Sequence, residues 1–184
     1  MNFRHFMGLL AVCSVLPATV LASNPLQGLA APLEAELEDA QGRPVRLSAW
    51  RGKPVVLFYE DHRSTGLNQP LKDELFRRGT SHGLVGAATV VAVASLKPFS
   101  RWPLRGFAQR GVAEAERTYH VPVLIDWRHT LAEVGQLPSS GASVLLLDAH
   151  GGVRFRHTGP LCPQEREVVF RLLAELLGVD YRPD

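Results

Sequence analysis

The stretch that decides the fold is residues 55–71, VVLFYEDHRSTGLNQPL. It opens with a continuous apolar run rich in Val and aromatic residues, which is typical of a strand buried on both faces of a sheet. Polar residues follow, and from Ser64 the pattern predicts a helix to about Arg78, with a kink at Pro70. A buried strand that leads into a helix is the repeating unit of an α/β sheet.

The rest of the chain extends this unit in both directions. Apolar or alternating segments predict strands at 33–39, 45–47, 54–59, 88–96, 121–125, 143–147 and 153–157. Helical patterns occupy 104–119, 130–136 and 163–177. The order predicts an α/β fold: a three-layer α/β/α sandwich whose mixed sheet combines parallel strands with a C-terminal antiparallel hairpin.

The composition is that of an ordinary globular protein. The chain has 184 residues, of which 46% are hydrophobic and 21% charged, and this length suits one domain with a substantial core. The net charge is +2, with acidic and basic residues interspersed. This balance gives no reason to expect a nucleic-acid partner.

The N-terminus has the features of a secretory signal. Arg4 and His5 precede a mostly apolar stretch at 6–21, and small or apolar residues stand before a predicted cleavage site after Ala22. We expect residues 1–22 to be removed, 23–32 to form a linker and 33–184 to form a single domain. The predicted location is the periplasm or the exterior, and we expect no integral membrane segment after cleavage.

Cysteine usage limits the chemistry. Cys13 lies in the predicted signal peptide, so the exported chain keeps only Cys162. One cysteine cannot form an internal disulfide or run a dithiol cycle. An intermolecular disulfide through Cys162 remains open.

The polar residues that follow the central strand are the main candidates for a site. Asp61, His62 and Arg63 come at its carboxyl end, where α/β sheets gather ligands, and the N–H groups after Ser64 are expected to start a helix. With Thr65, these residues predict binding of a protein partner or a small anionic ligand. The alternative is a solvated loop. Ser64 is interpreted as a helix N-cap rather than a nucleophile activated by His62, because the turn lacks the Gly-x-Ser-x-Gly pattern.

Cys162 precedes Pro163, which is favoured at the first position of a helix, so Cys162 is predicted to be the N-cap of the last helix. A thiol at a helix N-terminus can also be reactive, and Arg166 would favour its thiolate. Both interpretations stay open, with the structural one preferred.

Two further groups of residues are candidates for a metal site or an interaction surface. The six histidines after residue 22 show no ligand spacing, so neither a metal nor a cofactor is predicted. A basic stretch is interrupted by two aromatic residues, and it predicts either a charged helix face or a surface for an acidic protein partner. Its residues are Lys97, Arg101, Trp102, Arg105, Phe107 and Arg110.

Three segments stand out as a set: GRPVRLSAWRGKPVVLFY (42–59), VPVLIDW (121–127) and SVLLLDAHGGVRFRHTGPL (143–161). Together they resemble the secreted redoxin branch of the thioredoxin-like superfamily. The resemblance covers nearly all of the chain after the predicted cleavage site at Ala22. From residue 124 onward the sequence is most similar to the periplasmic YtfJ-type group of thioredoxin-fold proteins.

The resemblance implies a Cys-x-x-Cys pair at 64–67 and a proline before the first strand of the hairpin. This chain has Ser64 and Leu67 at the cysteine positions, and Ala142 at the proline position. Dithiol oxidoreductase activity is therefore not expected. The predicted function is a non-catalytic binding or accessory role through residues 61–66. The alternative is an antioxidant or thiol oxidoreductase of the redoxin type, acting through Cys162 alone.

Overall fold

The computed structural model describes residues 31–81 and 86–181. The predicted signal peptide and residues 23–30 of the predicted linker lie outside this part of the chain, so cleavage near Ala22 stays a prediction. Within the described residues, no helix is long and apolar enough to cross a bilayer.

Strands and helices alternate along the described part of the chain. The strands are β1 (Glu36–Glu38), β2 (Pro44–Arg46), β3 (Val55–Asp61), β4 (Thr89–Ser95), β5 (Val123–Asp126), β6 (Ala142–Leu147) and β7 (Val153–Thr158). The α-helices are α1 (Gln69–Ser81), α2 (Leu104–Tyr119), α3 (Thr130–Val134) and α4 (Pro163–Leu177). Short 3-10 helices cover Leu47–Trp50 and Lys97–Phe99.

All seven strands form one sheet, in the order β2-β1-β5-β4-β3-β6-β7. Strands β3, β4 and β5 are parallel, whereas β1 with β2 and β6 with β7 form antiparallel hairpins. The mixed sheet with a C-terminal hairpin is confirmed. Strand β3 lies between β4 and β6, so its residues from Val55 to Glu60 are all buried, as its apolar sequence predicts.

Helices cover both faces of the sheet. On one face, α1 and α4 pack against β3 and β6 around Phe58. Helix α2 packs on the same face, because Val90 contacts the α1–α4 cluster while Ala92, two residues along β4, contacts the α2 cluster. Helix α3, through Leu131, and the 3-10 helix at Leu47–Trp50 cover the opposite face. The predicted three-layer arrangement is confirmed.

The predicted ends of α2 and α4 are confirmed. Helix α4 begins at Pro163, where the missing N–H has no helical partner, and Cys162 is its N-cap. It ends at Gly178, whose φ of 66° is a left-handed conformation that suits glycine. The sequence therefore marks both ends of α4 chemically.

The predicted start of α1 is wrong. Residues 62–68 form consecutive turns, and α1 begins at Gln69. Pro70 is the second residue of α1, where its missing N–H has no helical partner, so it marks the start of the helix and does not kink it. Consequently Ser64 is not a helix N-cap, because it lies five residues before the helix begins.

Candidate functional site

Three polar side chains lie side by side where the parallel strands end. In the sheet register, Asp61 of β3 is opposite Ser95 of β4, and Ser95 is opposite Asp126 of β5. Ser95 and Asp126 are buried, whereas Asp61 is partly exposed. Asp61 is therefore the member of this row that borders solvent, at the edge where α/β sheets usually bind ligands.

Asp61 ties the end of β3 to the segment that leads into β6. Its N–H donates to the carbonyl of Gly141 (3.1 Å), and its Oδ2 accepts the Gly141 N–H (2.9 Å). Its Oδ1 accepts the N–H of Arg63 (2.9 Å). Burial raises the pKa of Asp61, but the hydrogen bonds from Gly141 and Arg63 outweigh it and hold that pKa below its ordinary value. Asp61 is thus an ionised structural link.

Ser64 serves the same turn rather than the helix. Its hydroxyl accepts the Asp61 N–H (3.0 Å) and donates to the Asp61 carbonyl (3.2 Å), and its side chain is buried. Its own N–H also donates to the Asp61 carbonyl (3.1 Å). A hydroxyl held between two backbone groups of the same residue is a turn constraint, which leaves no support for a nucleophilic Ser64.

Residues 61–66 together form what we call the 61–66 turn. Its remaining side chains face solvent. His62, Arg63 and Thr65 are exposed. The His62 ring contacts Phe99 edge-on, with centroids 5.1 Å apart. Among the described residues, the Arg63 guanidinium has no carboxylate partner. The turn therefore presents two basic side chains and a hydroxyl on a fixed loop.

A buried ion pair joins the turn to β3 and α1. Glu60 is 7% exposed, and its Oε2 lies 2.7 Å from Lys72 Nζ on α1. The same ammonium group donates to the carbonyl of Thr65 (3.0 Å). Burial raises the pKa of Glu60, and Lys72 partly offsets this rise. One lysine therefore joins β3, the turn and α1.

Tyr59 and Asp126 lie buried beside this edge. Asp126 accepts N–H groups from Arg128, Thr130 and Leu131, and so caps the start of α3. The Tyr59 hydroxyl lies near Ser95 and Asp126 but makes no hydrogen bond of normal geometry with a described residue. Burial raises the pKa of Tyr59 to about 12.

Because an unpaired buried hydroxyl costs stability, Tyr59→Phe is expected to leave the free energy of unfolding unchanged or raise it by up to about 1 kcal/mol. Urea denaturation measures this change. The matched control is Tyr181→Phe, which removes a hydroxyl that donates to Glu167 (3.2 Å) and is expected to lose about 0.5 kcal/mol. A loss above about 1 kcal/mol in Tyr59→Phe would show that its hydroxyl is bonded after all.

Cys162 is exposed and lies apart from the turn in sequence, at the start of α4. Its N–H donates to Glu165 Oε2 (2.8 Å), which lowers the pKa of Glu165. The guanidinium of Arg166 instead binds Glu74 and the carbonyl of Leu161 (both 3.1 Å). The charged group that contacts Cys162 is therefore a carboxylate, while α1 and the chain before α4 bind the Arg166 guanidinium; an effect of Arg166 on the thiol stays a prediction.

Within the described residues, no three His, Cys, Asp or Glu side chains are close enough together to hold a metal ion. His157 Nδ1 lies 3.4 Å from Glu165 Oε1, and His62 contacts Phe99. Each of these two histidines thus has a local structural contact.

Three residues of this edge were missed in the sequence. Gly141 pairs with Asp61 across 80 positions, and Lys72 pairs with Glu60 across 12. Asn68 is buried, donating to the Gly159 carbonyl (3.1 Å) and accepting the Leu161 N–H (3.0 Å), so it joins the chain before α1 to the chain before α4. An Asn just before a helix was the available signal, whereas the other two depend on tertiary contacts.

No protein-family model matches the chain, and no curated protein matches it. Solved structures do. A protein named as the thiol:disulfide interchange protein DsbE of Chlorobium tepidum is 20% identical, with 83% of this chain and 99% of that chain covered and a TM-score of 0.61. The peroxidoxin BcpB of Mycobacterium tuberculosis is 21% identical, with coverages of 85% and 99% and a TM-score of 0.55.

The exposed lipoprotein thioredoxin of Streptococcus pneumoniae is 21% identical, with 77% of this chain and 98% of that chain covered and a TM-score of 0.50. At these identities the similarity concerns the fold, and it agrees with the sheet order and helix layers described above. The chain has a thioredoxin-like α/β fold.

Proposed function

We propose that this protein is a non-catalytic binding or accessory protein with a thioredoxin-like fold, and that it uses the 61–66 turn to bind. One observation carries the proposal: Ser64, where the redoxin resemblance implies a cysteine, holds the turn through its hydroxyl. Thiol–disulfide exchange needs a thiolate at the site, and neither Ser64 nor Leu67 supplies one. The scaffold of the site is retained while its redox atoms are replaced.

The geometry favours a protein partner over a small anionic ligand. Small-molecule sites are concave, whereas His62, Arg63 and Thr65 lie exposed on a turn. The prediction of an anion site relied on N–H groups at a helix start, but α1 begins only at Gln69, and the Ser64 N–H is used by Asp61. Because the Asp61–Gly141 bonds fix the turn, a partner would meet a preorganised loop.

Export is part of the proposal. It is supported by the signal-like pattern at 1–22 and by the similarity to DsbE and to an exposed lipoprotein thioredoxin. The YtfJ-type resemblance of the last third also supports a thioredoxin fold used without a cysteine pair. We infer that the protein works in the periplasm or outside the cell.

Site-directed photocrosslinking tests the binding role. A photoreactive phenylalanine analogue replaces His62 or Thr65 in the chain expressed in its host, with Arg154 on β7 as the matched exposed control position. We expect discrete crosslinked species from positions 62 and 65 and none from 154. Absence of crosslinks at 62 and 65, or equal labelling at 154, would contradict binding through the turn.

The thiol alternative has its own test. We expect no insulin reduction by the purified protein, and peroxide consumption no faster than that of the Cys162→Ser variant. Stopped-flow peroxide assays with a thiol reductant measure this rate. Rapid consumption that disappears in Cys162→Ser would favour the redoxin-type antioxidant and overturn the non-catalytic role.

A further inference from the structure

Three large exposed apolar side chains follow Phe99 in the sequence, and the Phe99 ring contacts His62 of the 61–66 turn. Trp102 is 91% exposed, Phe107 65% and Leu104 47%. They lie at the start of α2 and just before it, close in sequence to Phe99, whose ring contacts His62. Large exposed apolar side chains that lie together are typical of an interaction surface. We call these three side chains, with Lys97, Arg101 and Arg110, the Trp102 patch.

The patch is basic. Residues 97–110 contain four Lys or Arg residues and no Asp or Glu. Within the described residues, Lys97, Arg101 and Arg110 form no ion pair, whereas many other arginines of the structure, such as Arg46 and Arg117, do. Uncompensated cations beside exposed apolar side chains are complementary to a carboxylate-rich surface.

The fourth cation of the stretch fixes the patch in place. Both Glu38 oxygens lie within 2.7 Å of the Arg105 guanidinium, which also stacks on the Trp127 ring at 4.6 Å. The Trp127 indole N–H donates to Glu38 as well (3.1 Å). The first turn of α2 is therefore locked to β1 and to the end of β5. Trp102 and Phe107 are carried by a rigid platform, which lowers the entropy cost of binding.

The geometry favours a protein over a lipid surface. The Arg110 guanidinium lies over the Phe107 ring, 4.6 Å from its centroid. To enter a bilayer, this ring would have to carry an unpaired cation with it, which is costly. At a protein interface, Arg and aromatic residues together are the side chains that most often dominate binding energy.

We propose that the Trp102 patch docks an acidic protein segment in which carboxylates flank a large apolar side chain. The apolar side chain packs against Trp102 and Phe107, and the carboxylates pair with Lys97, Arg101 and Arg110. The proposal deepens the proposed function, on which it rests for the view that this chain acts by binding. Phe99, whose ring contacts His62, lies between Lys97 and Arg101 in the sequence, so the turn contacts the segment that carries the patch.

Fluorescence anisotropy with defined peptides tests the patch. The probes are labelled 12-residue peptides with one central Phe or Trp flanked by Glu and Asp, and matched peptides with Lys in place of the acids. We expect the acidic peptides to bind, more weakly at higher salt, and the Lys peptides not to bind. Trp102→Ala and Arg101→Glu should each weaken binding at least about ten-fold.

Matched controls use exposed residues outside the patch. Phe76→Ala removes an exposed aromatic side chain of α1, and Arg171→Glu reverses an exposed charge on α4; both should bind like the parent. Equal binding of acidic and Lys peptides, or unchanged binding in Trp102→Ala, would overturn the proposal. So would Trp102-dependent binding to phosphatidylglycerol vesicles without peptide binding, which would identify a lipid surface.

The experiments distinguish failure of the proposal for the 61–66 turn from failure of the proposal for the Trp102 patch. Crosslinks from position 65 that persist in Trp102→Ala, with no peptide binding at the patch, would leave the turn as the binding site and reject the patch. Peptide binding at the patch, with no crosslinks from positions 62 or 65, would overturn the proposal that the turn binds a partner and would support the proposal that the patch does.

Discussion

Lys72→Met is expected to destabilise the fold by about 3 kcal/mol near neutral pH and by much less at about pH 4.5. Lys72 is the partner of the buried Glu60 carboxylate, and its ammonium nitrogen also lies 5.2 Å from the centroid of the Phe58 ring. Lys72→Met therefore removes the charge, with its contacts to Glu60, to the Phe58 ring and to the Thr65 carbonyl, while Met keeps most of the side-chain volume. A buried carboxylate without a partner is one of the more costly defects a core can hold.

The pH dependence follows from the direction of the Glu60 pKa. Burial raises this pKa above its ordinary value of 4.5, and Lys72 opposes the rise. When the pKa of an acid is higher in the folded state than in the unfolded state, its burial costs no stability at pH values below the unfolded-state pKa. The free energy of unfolding then falls as the pH rises from the unfolded-state pKa through the folded-state pKa. Removing Lys72 raises the folded pKa further, so the difference between variant and parent should grow with pH.

Urea denaturation at several pH values measures that difference, and a second substitution isolates its cause. Glu60→Gln in the Lys72→Met background removes the stranded charge and should recover most of the loss near neutral pH. The matched control, Arg117→Met, breaks an exposed pair with Glu114 and should have little effect. A loss in Lys72→Met that is the same at every pH, or no recovery in the double variant, would contradict this account of the pair.

The sequence predicts the parts of the fold whose signals are local. The apolar run of β3 and the Pro163 that marks the start of α4 need only neighbouring residues to be interpreted. The start of α1 was misplaced because turn formation by Ser64 competes with helix capping, and both use the same hydroxyl. The correct start of α1 follows only if Pro70 is interpreted as a residue of the first helical turn rather than as a kink within the helix.

The sequence indicates where the candidate residues lie but not how each is used in the turn, for a similar reason. Asp61, His62, Arg63 and Thr65 do lie together at the carboxyl edge of the sheet, since they follow one strand. Asp61 has a structural role because it bonds to Gly141, 80 residues away, whereas His62, Arg63 and Thr65 stay exposed. Such a pairing is set by topology, and no local pattern encodes it.

Asp126→Ala is the second substitution with a large expected effect, about 3 kcal/mol of lost stability. The buried carboxylate accepts three N–H groups: from Thr130 and Leu131 at 2.9 Å and from Arg128 at 3.2 Å. Alanine leaves these donors without a partner in a site that is 1% exposed. Asp126→Asn keeps one acceptor oxygen and turns an amide toward the remaining donors, so its loss should be smaller, at about 2 kcal/mol.

Asp126→Ala should also destabilise the 61–66 turn. The chain that follows α3 supplies the Ser139 carbonyl, which accepts from Ser95 at 3.3 Å, and the Gly141 groups that hold Asp61. Hydrogen exchange should therefore rise across residues 130–141 and at Asp61. The matched control is Asp148→Ala, which removes a partly exposed carboxylate that accepts two turn N–H groups, and it should raise exchange only around 148–153.

If Asp126→Ala loosens 130–141 while exchange at Asp61 stays slow, the turn is held by its own bonds alone. If both loosen together, α3 and the turn are one unit, joined through the chain segment that supplies the Ser139 and Gly141 groups. In that case, crosslinking from Thr65 should fall in Asp126→Ala although Asp126 is buried and cannot touch a partner. The binding surface would then depend on a carboxylate whose direct role is to cap a five-residue helix.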